Sequence, residues 1–143
     1  HRMSALTRDQ ILQAARNAKI ERDEISIPEL GGKVFVRGMS GKERDEFEEG
    51  LRIRKGKRSG QTDLRNFRAR LAVKIIVDGE GQRILTDDDA AIFGQMPAGV
   101  LDRIISRCTE LSGLAEEEIE DEKNASGSEG SVVSFSNSRS ASA

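Results

Sequence analysis

The chain has 143 residues, 36% hydrophobic and 34% charged, with 23 basic and 25 acidic side chains and a formal net charge of −2. That is the length of one domain with a modest core, and it lacks the overall basic excess of a protein that binds nucleic acid through net charge. The single cysteine excludes an internal disulfide, and no run approaches the ~18–20 apolar residues of a membrane-spanning helix.

Trp and Tyr are absent, so the core has to be aliphatic, with a few Phe. His1-Arg2 ahead of Met3 reads as a vector remnant, which removes the only histidine from the chemistry. No apolar signal-peptide core follows. Thr7 and Gln10 then form the two ends of a capping box, and Ile11, Leu12, Ala15 and Ala18 make a short apolar stripe. The spacing predicts a helix over 8–19.

Ile25 and Ile27 alternate with polar neighbours, Gly31-Gly32 signals a turn, and Val34 and Val36 alternate around Phe35. This predicts a β-hairpin, with its first strand at a sheet edge because Pro28 donates no ladder hydrogen bond. Ser40 and Glu43 make a second capping box, and Phe47 and Leu51 lie four apart, which predicts a helix over 41–54. The stretch Lys55–Gln61 has two glycines and no apolar residue and reads as a flexible loop.

Leu64, Phe67, Leu71, Ala72 and Ile75 have helical spacing, with Asp63 as the expected cap. Arg68 falls inside this stripe, where its stem can pack while its head reaches water or a carboxylate. Residues 75–85 fit either a helix end or a second small hairpin around Asp78-Gly79. Thr86 with Asp87–Asp89 reads as the capped start of a short helix and not as a cation site, because consecutive carboxylates there point in different directions. Pro97 opens the next helix, whose stripe is Leu101, Ile104, Ile105, Cys108 and Leu111, with Gly113 as its C-cap. Cys108 lies in the stripe and reads as a core thiol. The run Glu116–Glu122 reads as a solvated helix end. From Asn124 onward eight of twenty residues are Ser, too polar to offset the entropy of ordering.

The expected architecture is α+β and mostly helical, with small β-hairpins packed against about four to five helices. The expected divisions are a tag remnant and start at 1–3, a single globular domain over 4–120, and a disordered Ser-rich tail over 121–143. Phe67, Leu71, Ile75, Leu101, Ile104, Ile105 and Cys108 are the expected core. No catalytic, cofactor or metal constellation appears.

Three stretches carry a resemblance in their order and spacing. Val34–Glu48 is a strand ending in Arg, followed by a capped helix with Glu-Arg and Phe. Arg68–Asp89 runs from a helix into Val-Asp, a glycine turn, Arg-Ile-Leu and a Thr-Asp cap. Pro97–Leu114 closes on Leu-Ser-Gly-Leu. Together, over about residues 33–120, they resemble the tail assembly chaperones of long non-contractile-tailed bacteriophages and related prophages; the helix over 8–19 is less typical of them. The resemblance implies a non-enzymatic chaperone without cofactors that binds the long, helical, aggregation-prone tape measure protein while the tail tube assembles. It implies a longer frameshift product that engages the tail tube protein, action in the host cell cytoplasm, and absence from the mature virion.

Arg52–Lys74 holds nine Lys/Arg and one Asp, a local charge of +8, so the rest of the chain carries −10. Such charge separation suits contact with an acidic partner or self-association along the client. Arg52, Arg54, Lys55, Lys57, Arg58, Arg65 and Arg68 are the candidate partner-binding residues. The alternative is a nucleic-acid-binding regulator using 52–70. It is disfavoured because Phe67 belongs to the core stripe and makes a poor stacking platform.

Overall fold

The computed structural model describes residues 4–114. The expected tag remnant, the end of the 4–120 domain and the expected disordered tail lie outside the described residues.

Helix α1, Arg8–Arg16, starts at the expected capping box: Thr7 Oγ1 accepts from the Gln10 backbone N–H, and Gln10 Oε1 accepts from that of Thr7. It ends three residues earlier than predicted. Its apolar stripe is not packed: no residue of α1 is buried. Periodicity showed the face but could not show what, if anything, covers it.

Strands β1, Arg22–Ile27, and β2, Gly32–Arg37, pair antiparallel, with Ile25 opposite Val34 and Ile27 opposite Gly32. A 3-10 turn over Pro28–Leu30 joins them and closes at Gly31, whose φ of 80° suits a residue without Cβ. Strand β1 lies at the sheet edge as expected, but Pro28 stands in the turn beyond it.

Helix α2, Gly41–Gly50, carries the second capping box, with Ser40 Oγ accepting from the Glu43 backbone and Glu43 Oε1 accepting from that of Ser40. It stops at Gly50 rather than 54, because Leu51 turns inward and is buried. The chain beyond is hydrogen-bonded and not a loose loop. Arg52 bridges Thr62, the Ile53 N–H donates to Gln61 O, and the Gly60 N–H donates to Ile53 O.

Helix α3, Phe67–Ile75, begins four residues after the expected cap. Asp63 does not cap it; its carboxylate is turned onto Arg65. The residue before the helix is Asn66, at φ 53°, and its side-chain amide donates to Ala90 O across the fold. Residues 76 and 77 leave the helix as strand β3, Ile76–Val77, which pairs antiparallel with β2, Phe35 opposite Val77. This resolves the two readings of 75–85: the helix ends at Ile75, and only a single bridge, Val77 to Arg83, remains of the second hairpin.

A 3-10 turn over Asp87–Asp89, with Asp89 Oδ2 accepting from the Thr86 N–H and hydroxyl, leads into helix α4, Ala90–Phe93. Helix α5, Ala98–Leu111, follows, with Pro97 at the cap position and Gly113 at φ 81° after its end.

The sheet order is β1-β2-β3, and α3 and α5 pack together over the face that carries Ile27, Val36 and Ile76. Two ion pairs tie α5 to the hairpin: Arg107 to Asp23 on β1 at 2.6 Å, and Arg103 to Glu29 in the turn after it at 2.6 Å. The expected core residues Leu71, Ile75, Leu101, Ile104, Ile105 and Cys108 are buried together. Phe67 is the exception: it is the first residue of α3, is half-buried, and meets Phe47 edge-on at 5.6 Å. The five helices and three-stranded antiparallel sheet among the described residues make the fold α+β and mostly helical.

Candidate partner-binding site

The Arg52–Thr62 bridge folds the basic run back on itself. It brings Arg52, Lys55, Lys57, Arg58 and Arg65 around one open cleft, with Arg70 as a further lining residue. Arg54 does not line it; its guanidinium lies 3.6 Å from Glu49, which also holds Arg52 at 3.1 Å. Arg68 points elsewhere, with Nε donating to Asp102 on α5 at 2.7 Å. Of the seven candidates, then, five share the cleft and two do not.

Two acid-base contacts shape this wall. Arg65 donates to both oxygens of Asp63, Nε at 2.9 Å and Nη2 at 3.0 Å. Those hydrogen bonds hold the Asp63 carboxyl well below its ordinary range. Arg70 Nη1 donates to the carbonyls of Asp63 and Arg65 and so braces the turn that enters α3. Arg70 was read in the sequence only as one more cation of the run. Its structural part depends on a turn that the predicted helix start had removed. Lys55, Lys57 and Arg58 are exposed and have no ion pair among the described residues. The cleft thus keeps positive charge that is not neutralised locally.

A second concavity, of about 110 Å³, is apolar. Phe47 and Leu51 come to it from the α2 side, Leu64, Phe67 and Leu71 from the α3 side, and Leu114 from beyond α5. Cys108 also lines it, but is only 4% exposed. Burial pushes its thiol up to about 11, so it stays protonated at neutral pH. Leu64 stands in the predicted stripe of α3 and Leu114 in none, and no spacing within one helix shows that stripe and the Phe47–Leu51 face meeting around a groove.

Paired carboxylates on the surface of the fold respond to acid. Asp23 is held below its ordinary 3.8 by Arg107, Asp87 by Lys74 and Arg83, and Glu29 below its ordinary 4.5 by Arg103. A folded-state value below the unfolded one stabilises the native state above the unfolded value, and that contribution is lost as pH falls through the folded value. The melting temperature is therefore expected to be level from neutral pH down to about pH 5 and to fall by several degrees below about pH 4. Calorimetry across that range checks it; a maximum below pH 4 would contradict the pairing.

Comparison with known proteins gives the family. The model for phage tail assembly chaperones matches residues 8–125. This chain belongs to the phage tail assembly chaperone family. The match includes α1, the segment less typical in the resemblance. The solved structure of the bacteriophage HK97 tail assembly chaperone is similar in fold, with a TM-score of 0.50 at 20% identity over 76% of this chain and 99% of that one. No curated protein matches. A tail assembly chaperone acts on a client among the tail proteins.

Proposed function

We propose that this chaperone binds the tape measure protein through the basic cleft and shields it while the tail tube assembles. The observation that carries the reading is the cleft itself: five of the candidate cations share it, and Lys55, Lys57 and Arg58 have no carboxylate partner among the described residues. Family membership supports a tail client, and no step of the role needs a catalytic group. Cations of this kind attract acidic stretches of a helical client and speed its capture. The proposed site of action is the host cytoplasm, before the virion is complete. A longer frameshift product would add contact with the tail tube protein.

Changing Lys55, Lys57 and Arg58 together to Gln, all three lining the cleft, tests this. Folding should hold, because exposed ion pairs contribute only about 0.2–1 kcal/mol each. Capture of a tape measure fragment should weaken by roughly tenfold at low salt, with the difference shrinking as salt screens the charges. Unchanged capture would remove the cleft from the contact. Tight, salt-sensitive binding of wild type to random-sequence DNA, lost in the variant, would replace this function with nucleic-acid binding.

A further inference from the structure

The basic cleft holds more positive charge than the rest of the described fold answers. Six cations line it against one carboxylate, that of Asp63, which Arg65 already holds through both oxygens. Lys55, Lys57 and Arg58 have no carboxylate partner among the described residues; Arg58 Nε donates to the neutral amide of Gln61 at 3.2 Å. A concave wall of one sign concentrates its field and draws in the opposite charge.

The opposite charge is in the same chain. Six of the seven residues Glu116–Glu122 are acidic, and the run begins two residues after Leu114. Leu114 lines the apolar groove together with Leu51, and Leu51 also lines the basic cleft. The chain therefore leaves the described fold from a groove that shares a wall residue with the cleft. An extended chain spans up to about 3.5 Å per residue, so Glu118 can lie about 14 Å from Leu114 and Glu122 about 28 Å, enough to pass Leu51. The other wall of the groove repels the run: α2 carries five carboxylates against two cations.

We propose that Glu116–Glu122 lies across the basic cleft of its own chain, on Lys55, Lys57 and Arg58, until an acidic partner displaces it. The short tether gives the run an effective concentration on the order of millimolar, so a weak contact is enough to occupy the cleft. An incoming ligand then binds with its affinity reduced by the fraction of chains whose cleft is open. The device is selective: a short acidic segment loses to the tether, whereas a long partner with several acidic stretches prevails. That consequence rests on the reading of the cleft as the client's site; the contact within the chain does not.

Two measurements on the full chain test it, neither with a tape measure fragment. A carbodiimide joins a lysine amine to a carboxylate where the two touch. In an equal mixture of heavy-isotope and ordinary chain, links are expected from Lys55 or Lys57 to the 116–122 run, both ends of one isotope. Lys74 and Asp87, 3.2 Å apart, are the internal control. Links that mix the isotopes, or a linked control with no link to this run, would overturn the proposal. The second measurement is the binding of a fluorescent oligoglutamate peptide at low ionic strength. Neutralising the run, E116Q/E117Q/E118Q/E120Q/D121N/E122Q, should tighten it by about three- to tenfold, and the gain should shrink as salt screens the charges. In a K55Q/K57Q/R58Q background the same change should have little effect. No gain, or an equal gain in both backgrounds, which is net charge alone, counts against the contact. Links that form as expected while K55Q/K57Q/R58Q still captures a tape measure fragment like wild type would keep the contact and remove the cleft as the client's site.

Discussion

Ile104→Ala is expected to lower the stability of the domain by about 2–5 kcal/mol. Ile104 is fully buried on the face of α5 that meets α3 and the sheet, in one cluster with Ile27, Val36, Leu71 and Ile75. Removing its outer carbons loses their transfer from water and leaves a void that backbone on both sides resists filling. For a domain of this size that is a large share of the total, which runs at about 5–15 kcal/mol. Urea unfolding should show the midpoint move with the slope unchanged. Ile92→Ala is the control: Ile92 is 72% exposed, and its removal should stay within about 0.5 kcal/mol. Similar small changes at both sites would mean that α5 is not the centre of the core.

Gly38→Ala is the second large effect, and it acts through backbone and not through a side-chain cavity. A Cβ at residue 38 would lie 2.7 Å from the Leu111 carbonyl carbon and 2.9 Å from the Ser112 nitrogen. Neither can swing aside, because the end of α5 is fixed there. The Met39 N–H donates to Ser112 Oγ at 2.8 Å, and that hydroxyl donates to the Cys108 carbonyl at 2.7 Å. The methyl group therefore forces the exit of β2 away from α5, at about 1–3 kcal/mol for overpacking, together with the strained hydrogen bonds. Thermal unfolding should place Gly38→Ala well below wild type. Gly41→Ala, at a site with open space around the glycine, should be close to neutral or slightly stabilising. A neutral result at Gly38 would show that the two elements part easily.

The sequence by itself determined the elements whose signals are local. The boxes at Thr7 and Ser40 start their helices because both hydrogen-bonding partners lie three residues apart in the chain. Gly31 turns the hairpin because only one residue has to reach positive φ. The stripe of α5 buries as its spacing predicts because a helix of 14 residues shows its face several times over. The order of three such stretches was enough to bring out the family resemblance.

Tertiary structure decided the rest. Asp63 looked like a cap, but Arg65 takes its carboxylate and Asn66 enters the helix, held by a carbonyl 24 residues further on. Ile76-Val77 could have ended a helix, but β2 offered an unpaired edge. The seven cations were one run in the chain; the Arg52–Thr62 bridge gathers five of them at a cleft, while Asp102 draws Arg68 away. The stripe of α1 was legible, but its exposure was not. Period tells which side of a helix is apolar, and only the positions of all the other elements decide whether anything lies against it.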